Sequence, residues 1–135
     1  MTSSIFIVED DALLAWALSA AVEDLGYRVA GTAASAERAV PAVLEAAPMA
    51  VIMDIRLAGH LTGLDAARAI RARSNVPILF CTAYADVPEV AQEAKAIGRT
   101  WLLGKPVSEA ALQEVLTMLL GLPLTVMKRE SLVPT

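Results

Sequence analysis

Five polar residues fall at the ends of apolar runs, where a side chain has the backbone support to do chemistry. Glu9 and Asp10 follow Ile5-Phe6-Ile7-Val8, and Asp54 follows Ala50-Val51-Ile52-Met53. Thr82 closes Ile78-Leu79-Phe80-Cys81, and Lys105 comes just after Trp101-Leu102-Leu103. If these runs are neighbouring strands, three carboxylates converge and repel one another unless they are protonated or bridged by a cation. The set offers oxygen donors with no histidine or thiolate beside them, which favours a hard ion such as Mg²⁺ and disfavours zinc. A carboxylate beside Mg²⁺ can act as a nucleophile toward phosphorus, giving an aspartyl phosphate. The metal and the Lys105 charge would then offset the charge of the transferred group, with the Thr82 hydroxyl donating a hydrogen bond. Each residue also has a plain structural reading. Glu9 and Asp10 could cap a helix, Asp54 could sit in a turn, Thr82 could be a packing hydroxyl and Lys105 a solvated lysine. Their coincidence at one set of strand ends argues against five separate accidents.

The elements that must position them are legible as an alternation. The apolar runs, with a further one around Arg28 to Ala33, are separated by Ala-rich stretches of helical spacing. Those stretches run from Asp11 to Leu25, Ala36 to Ala46, Thr62 to Arg73, Val87 to Ile97 and Ser108 to Leu120. Gly26, Ala47-Pro48, Ser74-Asn75 and Gly98 punctuate the helices, and Ser35 and Ser108 suit N-caps. Uninterrupted apolar strands separated by single helices imply a parallel sheet covered on both faces. With right-handed crossovers, the expected architecture is a doubly wound α/β fold with strand order 2-1-3-4-5. Its ligand crevice lies at the C-terminal ends of strands 1 and 3, where the five polar residues fall.

Composition narrows the classes. The 135 residues suit one domain, expected over residues 1–121 with a short tail over 122–135. Hydrophobic residues make up 56% and charged ones 19%, which argues against disorder. A net charge of −4 gives no electrostatic reason to hold nucleic acid, and Lys128 and Arg129 are too few to form a patch. The apolar stretch from Ala12 to Val22 is shorter than the roughly 20 residues of a membrane span. With no basic secretory leader and one unpaired cysteine, Cys81, a cytoplasmic location is expected. Cys81 reads as a small buried hydrophobe, Trp16 as core, His60 as a solvated loop residue, and Asp65 and Asp86 as helix-start acids.

The chain resembles the response-regulator receiver family from about Ser4 to Leu120. Phe6-Ile7-Val8-Glu9-Asp10 is similar to the family's opening strand and acidic pair, and Ile52-Met53-Asp54 to its phosphoacceptor strand. Gly63-Leu64-Asp65 resembles the start of the third helix, Thr82-Ala83 the switch hydroxyl with its small neighbour, and Lys105-Pro106 the final Lys-Pro, usually cis. The resemblance implies a flavodoxin-like (βα)₅ fold with Asp54 as phosphoacceptor and Thr82 and Lys105 contacting the phosphoryl oxygens. Mg²⁺ would be held by Asp10, Asp54, Glu9 through water, and the Arg56 backbone carbonyl. It further implies a histidine kinase or histidine phosphotransfer protein as donor. Catalysis would be confined to the domain's own phosphorylation and dephosphorylation. A homodimer through the fourth helix, fifth strand and fifth helix is a further expectation.

Departures from the family pattern bear on output. Leu102 stands where many receivers carry an aromatic switch residue, with Trp101 one place earlier, so Tyr84 is the expected substitute. The loop from Arg56 to Thr62 is long. Pro77, Phe80, Thr82 and Tyr84 match part of the Pro-Phe-x-Phe-Ala-Thr-Gly-Tyr motif of a subgroup of single-domain receivers, with Cys81 and Ala83 replacing Ala and Gly. Two other classes compete. A degenerate receiver would bind partners without phosphorylation, but should have lost an acid, Thr or Lys from the site. A haloacid-dehalogenase-type phosphatase needs a second acid where this chain has Arg56, and a cap domain besides.

Overall fold

The computed structural model describes residues 3–121; the tail expected over 122–135 lies outside the described residues. Five strands, β1 (Ser4–Val8), β2 (Arg28–Ala33), β3 (Ala50–Met53), β4 (Ile78–Thr82) and β5 (Thr100–Gly104), alternate with five helices. The helices are α1 (Ala12–Asp24), α2 (Ala36–Ala46), α3 (Gly63–Arg71), α4 (Pro88–Ile97) and α5 (Glu109–Leu120). The strands are all parallel, in the order β2-β1-β3-β4-β5. The chain therefore has the flavodoxin-like α/β fold expected from its alternating pattern.

Every residue of β1, β3 and β4 is buried, because the side chains of a covered parallel strand point alternately into two cores. Phe6, Val8, Val51, Met53, Ile78 and Phe80 pack on one face with Ala39 and Val43 of α2 and Leu64, Ala67 and Ile70 of α3. Ile5, Ile7, Ile52, Leu79 and Cys81 pack on the other with Val22 of α1 and Leu112 and Leu116 of α5. The helix boundaries follow their chemistry. Ser35 and Ser108 cap α2 and α5, α2 stops at Ala47 in the left-handed region, and α4 stops at Gly98.

Several local expectations need correction. Trp16 is not core: it is 70% exposed, on a helix whose described buried residue is Val22. An α1 that is apolar on nearly every side gives periodicity no face to select. Asp11, not Glu9 or Asp10, caps α1, its carboxylate accepting from the amides of Leu13 and Leu14. Asp65 does act at a helix start, in a reciprocal capping box with Thr62. Asp86 does not, since α4 begins after Val87 with no side-chain cap. Helix α3 ends at Arg71, two residues short of the expected Arg73.

Candidate functional site

The hydrogen-bonded ladder carries each candidate residue to the same end of the sheet. The Glu9 amide donates to Ala33 O (3.0 Å) and the Asp54 amide to Val8 O (3.0 Å), so both residues remain tied to the strand beside them. The Lys105 amide donates to Thr82 O (2.9 Å), bringing the ends of β4 and β5 level. Glu9, Asp10 and Asp54 each present a carboxylate oxygen, and the three oxygens lie within 4.8 Å of one another. Lys105 Nζ bridges two of them, donating to Asp54 Oδ2 at 2.6 Å and Glu9 Oε1 at 2.9 Å. The Lys105–Pro106 peptide is cis.

The acids differ in environment. Glu9 is only 6% exposed, its second oxygen accepting from the Asp11 amide at 3.2 Å, whereas Asp10 is exposed. Burial pushes the Glu9 carboxyl above its ordinary pKa, against the opposing pull of Lys105. Burial disfavours the Lys105 charge, but hydrogen bonds and attraction from Asp54 and Glu9 outweigh it and hold the ammonium above its ordinary pKa. Asp54 is half-buried; Oδ1 accepts from the amides of Ile55 (2.7 Å) and Arg56 (3.4 Å), which fixes the carboxylate plane.

Three carboxylates against one ammonium leave net negative charge in a small space. That donor set, all oxygen and partly dehydrated, fits a divalent hard cation. Beside Glu9, Asp54 and Lys105 opens a cleft of about 490 Å³ between α1 and α5, walled by Leu14, Leu18 and Leu112.

Thr82 is fully buried, and its Oγ1 accepts from the Tyr84 amide at 3.1 Å. The Arg56 guanidinium lies over the Tyr84 ring, 5.3 Å from its centroid, a contact that sequence alone did not suggest. Leu102 pairs with Phe80 and packs on the α3 side of the sheet, whereas Trp101 packs on the α1–α5 side. Strand alternation thus keeps Trp101 off the face on which Leu102 stands. The loop after Asp54 is fastened to α2: Glu37 Oε1 accepts from the Leu61 amide (3.3 Å), and Ser35 bridges to Ala58. His60 is exposed in that loop, and Cys81 is buried.

The parallel α/β sheet with an acidic cluster at the C-terminal ends of its strands is an arrangement that comparison with known proteins places in a family. Residues 5–117 match the response regulator receiver domain, and the chain belongs to that family. It is 33% identical over 132 residues to the phyllosphere-induced regulator PhyR of Methylorubrum extorquens, covering 97% of this chain and 48% of that protein. The chain thus spans about half the length of that relative. The receiver domain of Erythrobacter litoralis PhyR, solved by NMR, superposes with a TM-score of 0.77 at 30% identity, covering 99% of this chain and 95% of that one. The receiver domain of a Pseudomonas aeruginosa sensor histidine kinase superposes with a TM-score of 0.79 at 33% identity, covering 90% and 99%. That structure has a magnesium ion coordinated in its active-site cleft. Mg²⁺ and phosphoaspartate are typical of the family. No helix among the described residues is long and apolar enough to cross a membrane.

Proposed function

We propose that this receiver accepts a phosphoryl group on Asp54 from a histidine kinase or histidine phosphotransfer protein. It then acts as a phosphorylation-dependent protein-interaction switch or phosphate shuttle. The observation that carries the reading is the cluster of Glu9, Asp10 and Asp54 with Lys105 bridging Glu9 and Asp54. Asp10, Asp54, Glu9 through water, and the Arg56 carbonyl would hold Mg²⁺, which when bound offsets charge on the phosphoryl oxygens. Asp54 attacks phosphorus as the bond to the donor histidine nitrogen breaks, and the imidazole leaves. The amides of Ile55 and Arg56 orient the attacking carboxylate, and Lys105 turns its charge toward the incoming group.

The domain's chemistry is confined to its own aspartyl phosphate. Thr82 turns its hydroxyl to the phosphoryl oxygens and thereby gives up the Tyr84 amide, which frees the turn that carries the Tyr84 ring. The face formed by α4, β5 and α5 is where that change is read by a partner or a second copy.

Incubation with acetyl phosphate and Mg²⁺ should add one phosphoryl group labile to alkali and hydroxylamine, detected by mass spectrometry. Asp54→Asn should abolish it, because an amide is no nucleophile here. Full labelling of that variant overturns the assignment.

A further inference from the structure

The Arg56 side chain has a position that a backbone role does not explain. Arg56 and Tyr84 occupy matched places, two residues beyond Asp54 and two beyond Thr82. The contact of guanidinium with ring joins the loop after β3 to the turn after β4, the two segments that flank the phosphoacceptor. Arg56 is otherwise exposed, and the Tyr84 hydroxyl makes no hydrogen bond among the described residues. The guanidinium is thus the polar partner the structure gives this ring. The Tyr84 amide, in turn, is held by the hydroxyl of Thr82. One turn therefore carries two restraints, one on its backbone and one on its ring.

We propose that the Arg56 side chain is a positioning residue that holds the Tyr84 ring outward in the unphosphorylated receiver, so that activation must break the contact. This rests on the reading above that Tyr84 moves on phosphorylation. A cation over an aromatic ring at an exposed site biases a two-state ring by about two- to fivefold. Any ligand that favours the inward ring works against that bias, and its apparent affinity falls by the same factor. Arg56 thereby sets the threshold of the switch without touching the phosphoryl group through its side chain.

The test uses the full chain and the NMR resonances of the Tyr84 ring, assigned with Tyr84→Phe. Wild type, Arg56→Met and Arg56→Lys are compared with and without beryllofluoride and Mg²⁺. Arg56→Met should move the Tyr84 resonances, with no phosphoryl mimic present, part of the way toward those of beryllofluoride-bound wild type. It should also tighten apparent beryllofluoride affinity about two- to fivefold. Arg56→Lys should stay near wild type, since an ammonium also sits on an aromatic face. A Tyr84 that responds to beryllofluoride but is indifferent to Arg56→Met overturns the role of Arg56 alone. A wild-type Tyr84 that ignores bound beryllofluoride overturns the switch reading and this role with it.

Discussion

Gly63 packs directly against the backbone of Asp54: a Cβ built on it would overlap the Asp54 carbonyl oxygen and lie 2.9 Å from the Ile55 Cα. The Gly63 amide donates to Ile55 O at 2.7 Å, so the start of α3 is clamped to Asp54 and the residue that follows it. The obstructing atoms are backbone and cannot rotate away. Gly63→Ala should therefore destabilise the fold by about 1–3 kcal/mol, the usual cost of overpacking. It should also slow labelling by acetyl phosphate beyond what the stability loss explains, because relief of the clash shifts Asp54 itself. Urea unfolding with a phosphorylation time course checks both; an unchanged midpoint and rate would refute the clamp.

Lys105 pairs with both Glu9 and Asp54 and offsets part of their charge, so a cation held by these carboxylates would compete with it. Replacing it with alanine leaves two partly buried carboxylates side by side. Metal-free Lys105→Ala should lose about 1–3 kcal/mol, less than a fully buried pair because the lysine is a quarter exposed. Millimolar Mg²⁺ should then raise its melting temperature by more than it raises that of wild type, since binding no longer displaces an ammonium. Thermal melts with and without Mg²⁺ decide the matter. A shift in the variant equal to or smaller than that of wild type would count against metal binding at these oxygens.

At the opposite end of the sheet from the site, Arg71 closes the fold. Its guanidinium donates to the carbonyls of Ser74 (2.8 Å), Val76 (2.7 Å), Gly98 (2.9 and 3.0 Å) and Arg99 (3.1 Å). The end of α3, the strand entry at Val76 and the turn before β5 are thus held by one planar fork. Arg71→Ala should cost about 2–3 kcal/mol by leaving these carbonyls unpaired. Arg71→Lys should recover little, because one ammonium cannot span the same set. Phosphorylation of either variant at a temperature where it is folded should match wild type, which separates this role from that of the site.

What the sequence made legible was the part fixed by local pattern. Strands β1, β3 and β4 are continuous apolar runs, and a covered parallel sheet requires just that, so their order and the convergence of Glu9, Asp10, Asp54, Thr82 and Lys105 followed. What escaped depends on contacts between distant segments or on geometry that residue type does not encode. The Arg56–Tyr84 contact joins two loops with no shared local signal. Asp10 and Asp11 suit a cap equally by type, and the backbone turn selects Asp11. Gly63 could be matched to a motif, but its reason lies in the Asp54 carbonyl it approaches. On α1 the apolar residues Leu13, Leu14 and Trp16 are exposed, so hydrophobicity there no longer reports burial.

Cys81 offers a test of the core that is independent of phosphorylation. It sits on β4 against the α1–α5 side of the sheet, and burial pushes its thiol up to about 12 from 9.0. Asp54 and Glu9 add to the rise and Lys105 opposes it. A thiol whose folded pKa is raised stays protonated in the native state at pH values where the unfolded chain ionises. Its contribution to stability is therefore fully present below the unfolded value near 9.0 and is lost as pH rises toward 12. Stability should fall more steeply over that window in wild type than in Cys81→Ala, and the difference between the two curves removes the separate titration of Lys105. At pH 8 the native protein should alkylate with iodoacetamide on the order of 1,000-fold more slowly than the urea-unfolded chain, following its thiolate fraction. Rapid modification of the folded protein, at a rate independent of added urea below the unfolding transition, would place the thiol in solvent and contradict its seat in the core.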